Sequence, residues 1–179
     1  WKRRRWSGPV IAVTGSIGKT TTRQMIQTVL GSRLRGTAVA NRANHGAAFP
    51  VSLLAVEPDD EYAVLELEAS EPQEMARMVK TCRPTIGVVT HAADSSASGM
   101  AHRHGAALAS AELLSSLPLD GYAVLGEDPW LRRVASRSKA PITWVGRGVG
   151  CDMVAAGVQW SHGRLSFRIA DCPFSVPVW

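Results

Sequence analysis

The residues best placed to do chemistry crowd into "TGSIGKTTT", Thr14 to Thr22. Gly15 and Gly18 permit backbone turns that aim N–H groups inward, and a helix beginning behind them adds partial positive charge. Lys19 is long enough to reach outer phosphates, and the Thr20 hydroxyl suits magnesium. With Ser16, Ile17 and Thr21 completing the loop, the segment is built to grip the phosphates of a nucleotide. The pattern GxxxxGK[ST] is met except at its first position, where Val13 stands. A plain strand-to-helix turn is the alternative, but such a turn would not need the Lys-Thr pair.

A second candidate is Glu66, at the C-terminal end of "YAVLEL". Ligands collect at those ends in open parallel sheets, so an acid there can hold the metal that phosphates share. The alternative is a rim residue paired with a surface cation, and the neighbouring Glu68 is expected in solvent. In "GEDPW", Asp128 ahead of Pro129 is suited to cap a helix. His91, His102 and His104 lie in polar surroundings, as expected of surface residues. Trp130, Trp144 and Trp160 fall on helix or strand positions where packing is expected.

These groups need a scaffold, and the sequence supplies one by changing period. "PVIAVT" is a continuous apolar run, as in a strand covered on both faces. From Thr20 to Leu30, Met25, Ile26, Val29 and Leu30 recur at helical spacing, and Gly31 is a natural stop. The alternation repeats through "TAVA" and a helical stretch at 51–55, "YAVLEL" and "QEMARMVK", "TIGVVT" and "GAALASAELLSSL", "GYAVLG" and "PWLRRVA", and "ITWVG". Strands alternating with helices predict an α/β fold, a mostly parallel sheet of the P-loop type flanked by helices. From Cys151 onward, "DMVAAGVQW", "GRLSFRIA" and "FSVPVW" around the turn "SHG" predict a small antiparallel sheet near the C-terminus.

Composition sets the outer bounds. The 179 residues suit one domain, and 45% hydrophobic with 20% charged residues is a globular balance. No apolar run reaches the roughly 18 residues of a membrane span, and no secretory leader pattern precedes the first strand. A cytoplasmic protein is expected. Lys and Arg number 20 against 15 Asp and Glu, with Lys2, Arg3, Arg4 and Arg5 clustered at the start. Residues 1–9 are accordingly a basic arm, expected as a solvated linker rather than a nucleic-acid contact, and 10–179 form the nucleotide-binding domain. The three cysteines, Cys82, Cys151 and Cys172, lack metal-ligand spacing and are expected as reduced, mostly packed thiols.

Together, "TGSIGKTTT", "NRANH", "AVLELEASEPQEM", "CRPTIGVVT" and "LSSLPLDGYAVLGEDPW" resemble the central ATPase domain of the Mur ligases. The likeness runs from about Val10 to Trp179 and leans to the branch that joins D-alanyl-D-alanine to a UDP-muramoyl tripeptide in peptidoglycan synthesis. The resemblance implies an ADP-forming ligase with ATP and magnesium (Mg2+) as cofactors, an acyl phosphate intermediate, and flanking substrate and C-terminal domains on the same chain. A monomer is expected, with no nucleic-acid partner and no membrane span. It places Gly15, Ser16, Ile17, Gly18, Lys19, Thr20 and Thr21 in the phosphate loop, with Lys19 and Glu66 as the catalytic pair. Thr20 and Glu66 become ligands of the magnesium between the β- and γ-phosphates. Asn41 and Asn44 match a segment that faces the substrate. The counterpart of "GEDPW" lies beside the nucleotide pocket, so by the resemblance Glu127 or Asp128 could approach a ribose. Ser96 and Ser110 stand where the family carries a histidine and a carbamylated lysine for a second magnesium; His91, His102 and His104 could replace those ligands, and a nucleotide-binding module that has lost catalysis is the alternative function.

Overall fold

The computed structural model describes residues 2–38, 53–69, 73–92 and 103–177. Its helices are α1 (Lys2–Arg5), α2 (Lys19–Gly31), α3 (Glu74–Cys82), α4 (Arg103–Ser116) and α5 (Pro129–Val134), the last continued by a 3₁₀ turn at Ala135–Arg137. The strands are β1 (Val10–Thr14), β2 (Gly36–Ala38), β3 (Tyr62–Glu66), β4 (Ile86–Val89), β5 (Tyr122–Gly126), β6 (Ile142–Gly146), β7 (Met153–Ser161), β8 (Arg164–Ile169) and β9 (Cys172–Pro177). They form one sheet in the order β2-β3-β1-β4-β5-β6-β7-β8-β9. The strands from β2 to β6 are parallel, as the alternation of periods predicts. The expected helical stretch at 51–55 lies partly outside the described residues.

Every residue of β1 is buried. Side chains alternate across a strand, so Val10 and Ala12 face one layer and Ile11 and Val13 the other. The first layer joins Met75, Met78 and Val79 of α3 to Leu113 and Leu114 of α4. The second packs Ile11 and Val13 against Ile26 and Leu30 of α2. On β3, Ala63 and Leu65 belong to the first layer and Tyr62 and Val64 to the second. The same alternation brings Glu66 to the α2 side of the sheet.

That packing changes the expected face of α2. Ile26 and Leu30 touch the sheet, but Met25 is 49% exposed and Val29 69%. The sheet-facing row runs through positions 23, 26 and 30, and its first member is a cation, Arg23, only 3% exposed.

The C-terminal antiparallel strands are present, and they extend the main sheet. β7 joins β6 in parallel through two pairs, Val145 with Met153 and Gly146 with Val154. β7, β8 and β9 then run antiparallel, with His162–Gly163 and Ala170–Asp171 as the turns; His162, Gly163 and Ala170 all take positive φ. Phe167 stacks on Phe174 with ring centroids 5.3 Å apart. Trp160, expected to pack, is 63% exposed, while Trp130 and Trp144 lie against the core.

The basic arm is tied to the domain at Arg3 and Trp6. The Arg3 guanidinium donates to the carbonyls of Cys82 (2.8 Å) and Arg83 (3.2 Å), at the negative end of the α3 dipole. The Trp6 indole donates to the Asp60 carbonyl at 2.8 Å. Cys82 is buried, and burial pushes its thiol up to about 12, as for an inert packed cysteine. Cys151 is half-buried and Cys172 exposed. Among the described residues, no helix is long and apolar enough to cross a membrane.

Candidate functional site

The loop between β1 and α2 leaves the sheet beside the C-terminal ends of β3 and β4, the neighbours of β1 on either side. It is fastened to the β4 end. The Ser16 amide donates to the His91 carbonyl at 2.8 Å, and the Thr90 hydroxyl donates to the Ile17 carbonyl at 2.6 Å. Gly15 sits at φ 132°, where a Cβ would lie 2.2 Å from Thr90 Oγ1 and 3.0 Å from the His91 backbone. Gly18 adopts the left-handed conformation (φ 83°, ψ 3°) as N-cap of α2 and supplies no side-chain acceptor to the first turn. The positive end of the helix is thereby left for an external anion. Ile17 projects at the tip, 65% exposed.

The reactive side chains converge beside this loop. Lys19 Nζ donates to the Gly15 carbonyl at 2.9 Å, curling back over its own loop. It also lies 3.7 Å from Glu68 Oε1, so Glu68, expected in solvent, is an ion-pair partner of the lysine. The Thr20 hydroxyl donates to Glu66 Oε1 at 2.9 Å. Glu66 Oε2 faces Arg23 Nε at 3.4 Å, and the two side chains are 7% and 3% exposed. Thr21 follows on the exposed side of the first turn. The structure sets Thr20 against Glu66 and Lys19 over the Gly15 carbonyl; it also brings in Arg23, absent from the sequence expectations, whose signal was a single cation at a sheet-facing position of α2.

Thr20 and Glu66 present hard oxygen donors side by side, the chemistry that magnesium prefers. Among the described residues no group of three or more His, Cys, Asp or Glu could hold a metal ion. A cation on Thr20 and Glu66 would therefore complete its shell with phosphate oxygens and water, as magnesium commonly does. The residues present fit such an ion.

The remaining candidates separate into distinct roles. Asp128 is 2% exposed and caps α5: Oδ1 accepts from the amides of Trp130 (2.7 Å) and Leu131 (3.2 Å). Its Oδ2 accepts from the Ala92 amide (3.2 Å) and pairs with His91 Nδ1 (2.9 Å). Of the two expectations for Asp128, capping is therefore the one realised, and His91 is anchored by the same carboxylate. Glu127 Oε2 accepts from the amides of Arg147 (2.8 Å) and Gly148 (2.9 Å). Those two amides, the first foremost, hold its carboxyl below the usual range. Ser110 is buried, and its hydroxyl donates to the Ala106 carbonyl one turn earlier at 2.8 Å. His104 lies in the first turn of α4. Asn41, Asn44, Ser96 and His102 lie outside the described residues.

The profile of the Mur ligase middle domain matches residues 13–174. The UDP-N-acetylmuramoyl-tripeptide--D-alanyl-D-alanine ligase of Bacillus subtilis is 34% identical over 94% of the chain, which spans 37% of that relative. The Escherichia coli protein of the same name is 33% identical over 73% of the chain, which spans 29% of it. Acinetobacter baumannii MurF shares the fold, with a TM-score of 0.90 over 99% of the chain and 40% of the other at 23% identity. Thermotoga maritima MurF ligase, solved in complex with ADP, is 26% identical with a TM-score of 0.82 over 98% of the chain and 42% of the other. These likenesses do not favour the lapsed module, since the two curated relatives are both named as ligases. With the match running from the end of β1 through the phosphate loop and the parallel sheet into β9, the chain belongs to the Mur ligase middle domain family.

Proposed function

We propose that this chain is the ATP-binding domain of an ADP-forming peptide ligase that adds D-alanyl-D-alanine to a UDP-muramoyl tripeptide. The observation that carries the reading is the meeting of Thr20 and Glu66, 2.9 Å apart, beside the loop that holds Lys19. The names of the curated relatives support the choice of substrates. In the reaction, the substrate carboxylate takes the γ-phosphoryl group and ADP leaves; the amine then attacks the acyl carbon and expels phosphate. Lys19, free to leave its contact with the Gly15 carbonyl, counters charge on the outer phosphates. Gly15 to Thr21 hold the phosphate chain, and Thr20 with Glu66 would hold magnesium, which when bound neutralises phosphate charge. Asn41 and Asn44 would face the peptide substrate. Since the chain spans 37% of its Bacillus relative, flanking domains of the same polypeptide would supply the rest of the substrate sites.

Titration calorimetry with ATP and magnesium tests the loop. Lys19→Ala should weaken binding by about 2 to 3 kcal/mol, as for loss of a charge-assisted contact; unchanged affinity would refute the assignment. With the flanking domains present, ADP release should require both the UDP-muramoyl tripeptide and D-alanyl-D-alanine. Release indifferent to the dipeptide would refute the proposed amine substrate.

A further inference from the structure

Arg23 is an expensive residue where it stands. Its side chain is 3% exposed, and its Nε and Nη1 are buried without a hydrogen-bond partner among the described residues. The 3.4 Å approach to Glu66 Oε2 gives Coulombic attraction without a well-aligned hydrogen bond. A buried ion pair of that kind stabilises a fold no better than apolar side chains of similar volume. Ile26 and Leu30, in the same row of α2, show that the position could have been apolar. What Arg23 does supply is one fixed positive charge against the carboxylate that reaches for the metal.

We infer that Arg23 makes divalent-cation binding at Glu66 conditional on the nucleotide. This rests on the reading of Glu66 as a metal ligand. The guanidinium cancels the Glu66 charge and engages Oε2, leaving Oε1 turned to the Thr20 hydroxyl. A cation arriving alone meets a carboxylate whose charge the guanidinium already cancels, so it binds weakly. A cation arriving with a nucleotide brings the phosphates' negative charge along, and the pair then contributes an oriented oxygen. Arg23 is thus a positioning residue that couples metal to nucleotide, keeping the loop from being occupied by metal alone.

The test uses manganese as a probe, with free Mn2+ followed by electron paramagnetic resonance, in the presence and absence of ADP. Arg23→Met should bind Mn2+ without nucleotide at least about tenfold more tightly than the parent, because one adjacent positive charge is gone. The factor by which ADP and Mn2+ strengthen each other should fall correspondingly, since that coupling is reciprocal. Arg23→Lys should stay close to the parent, and Glu66→Gln added to Arg23→Met should abolish the gain. Should Arg23→Met not fold, Arg23→Gln carries the same expectation. A merely structural arginine would lower the melting temperature and leave the coupling factor unchanged, which would overturn the inference. If Glu66→Gln alone leaves the metal dependence of ADP binding intact, the metal-ligand reading fails first and the inference falls with it. If Glu66→Gln weakens that dependence while Arg23→Met leaves nucleotide-free affinity unchanged, the inference alone fails.

Discussion

Gly15→Ala and Gly18→Ala change the same residue type in the same loop, yet their costs should differ for reasons visible in the backbone. At Gly15, φ is 132° and a Cβ would stand 2.2 Å from Thr90 Oγ1 and 3.0 Å from both the nitrogen and the oxygen of His91. The conformation costs an L-residue roughly 1 to 3 kcal/mol and the overpacking a similar amount, so the loss should be about 2 to 6 kcal/mol. At Gly18, φ is 83° and nothing lies within 4 Å of the added carbon. Only the left-handed penalty remains there, about 1 to 2 kcal/mol. Against a total of roughly 5 to 15 kcal/mol, the first change is a large share of the fold and the second is not. Urea unfolding without nucleotide measures both, with a constant slope showing that the unfolded state is unchanged. Adding Thr90→Ala to Gly15→Ala removes the 2.2 Å contact but leaves those with the His91 backbone. The double variant should therefore lose less than the sum of the singles by about 1 kcal/mol. Equal losses at the two glycines, or strict additivity with Thr90→Ala, would refute the close approach between the loop and the β4 end.

Three further outcomes are expected. Glu68→Gln frees Lys19 from its 3.7 Å partner, and because that pair is partly solvated, ATP affinity by calorimetry should rise by less than about 1 kcal/mol. Asp128→Ala removes the α5 cap and strands the buried Ala92 amide, a loss of roughly 2 to 4 kcal/mol in a denaturation curve; Asp128→Asn should lose less. Glu127 titrates below its ordinary 4.5 in the folded chain because the Arg147 and Gly148 amides donate to it. A depressed folded value means that its stabilisation is full above the ordinary value and fades as pH falls through the folded one. The two amide resonances should shift together in that acid range, and Glu127→Gln should abolish the transition.

The alternation of strands and helices and the tight loop between β1 and α2 were legible because each rests on local signals: continuous apolar runs against helical periodicity, and glycines beside a Lys-Thr pair. Glu66 was legible from its place at a strand end. Arg23 was not, since a helical periodicity built on Met25, Ile26, Val29 and Leu30 excludes a charged residue from the buried row. Which of several apolar residues faces the sheet is decided by how α2 docks on β1 and β3. Asp128 offered two chemistries from sequence, and the choice was made by the arrival of His91 and Ala92 from the β4 end, 36 residues away for the Ala92 amide. Glu68 was placed in solvent because nothing local reveals that Lys19 folds back over the loop towards it.

The fastening of the loop to the end of β4 also has a meaning in time. Thr90 reaches Ile17 across 73 positions of chain, and the Ser16 amide waits for the carbonyl of His91. During synthesis, the glycines and lysine leave the ribosome before β4 and have nothing to hold their shape until β4 has followed and paired with β1. A nascent chain that stops short of His91 carries the whole motif and lacks the cradle. Nucleotide can therefore act as a folding ligand only late, once distant strands have met, and it rewards the completed sheet rather than guiding its assembly.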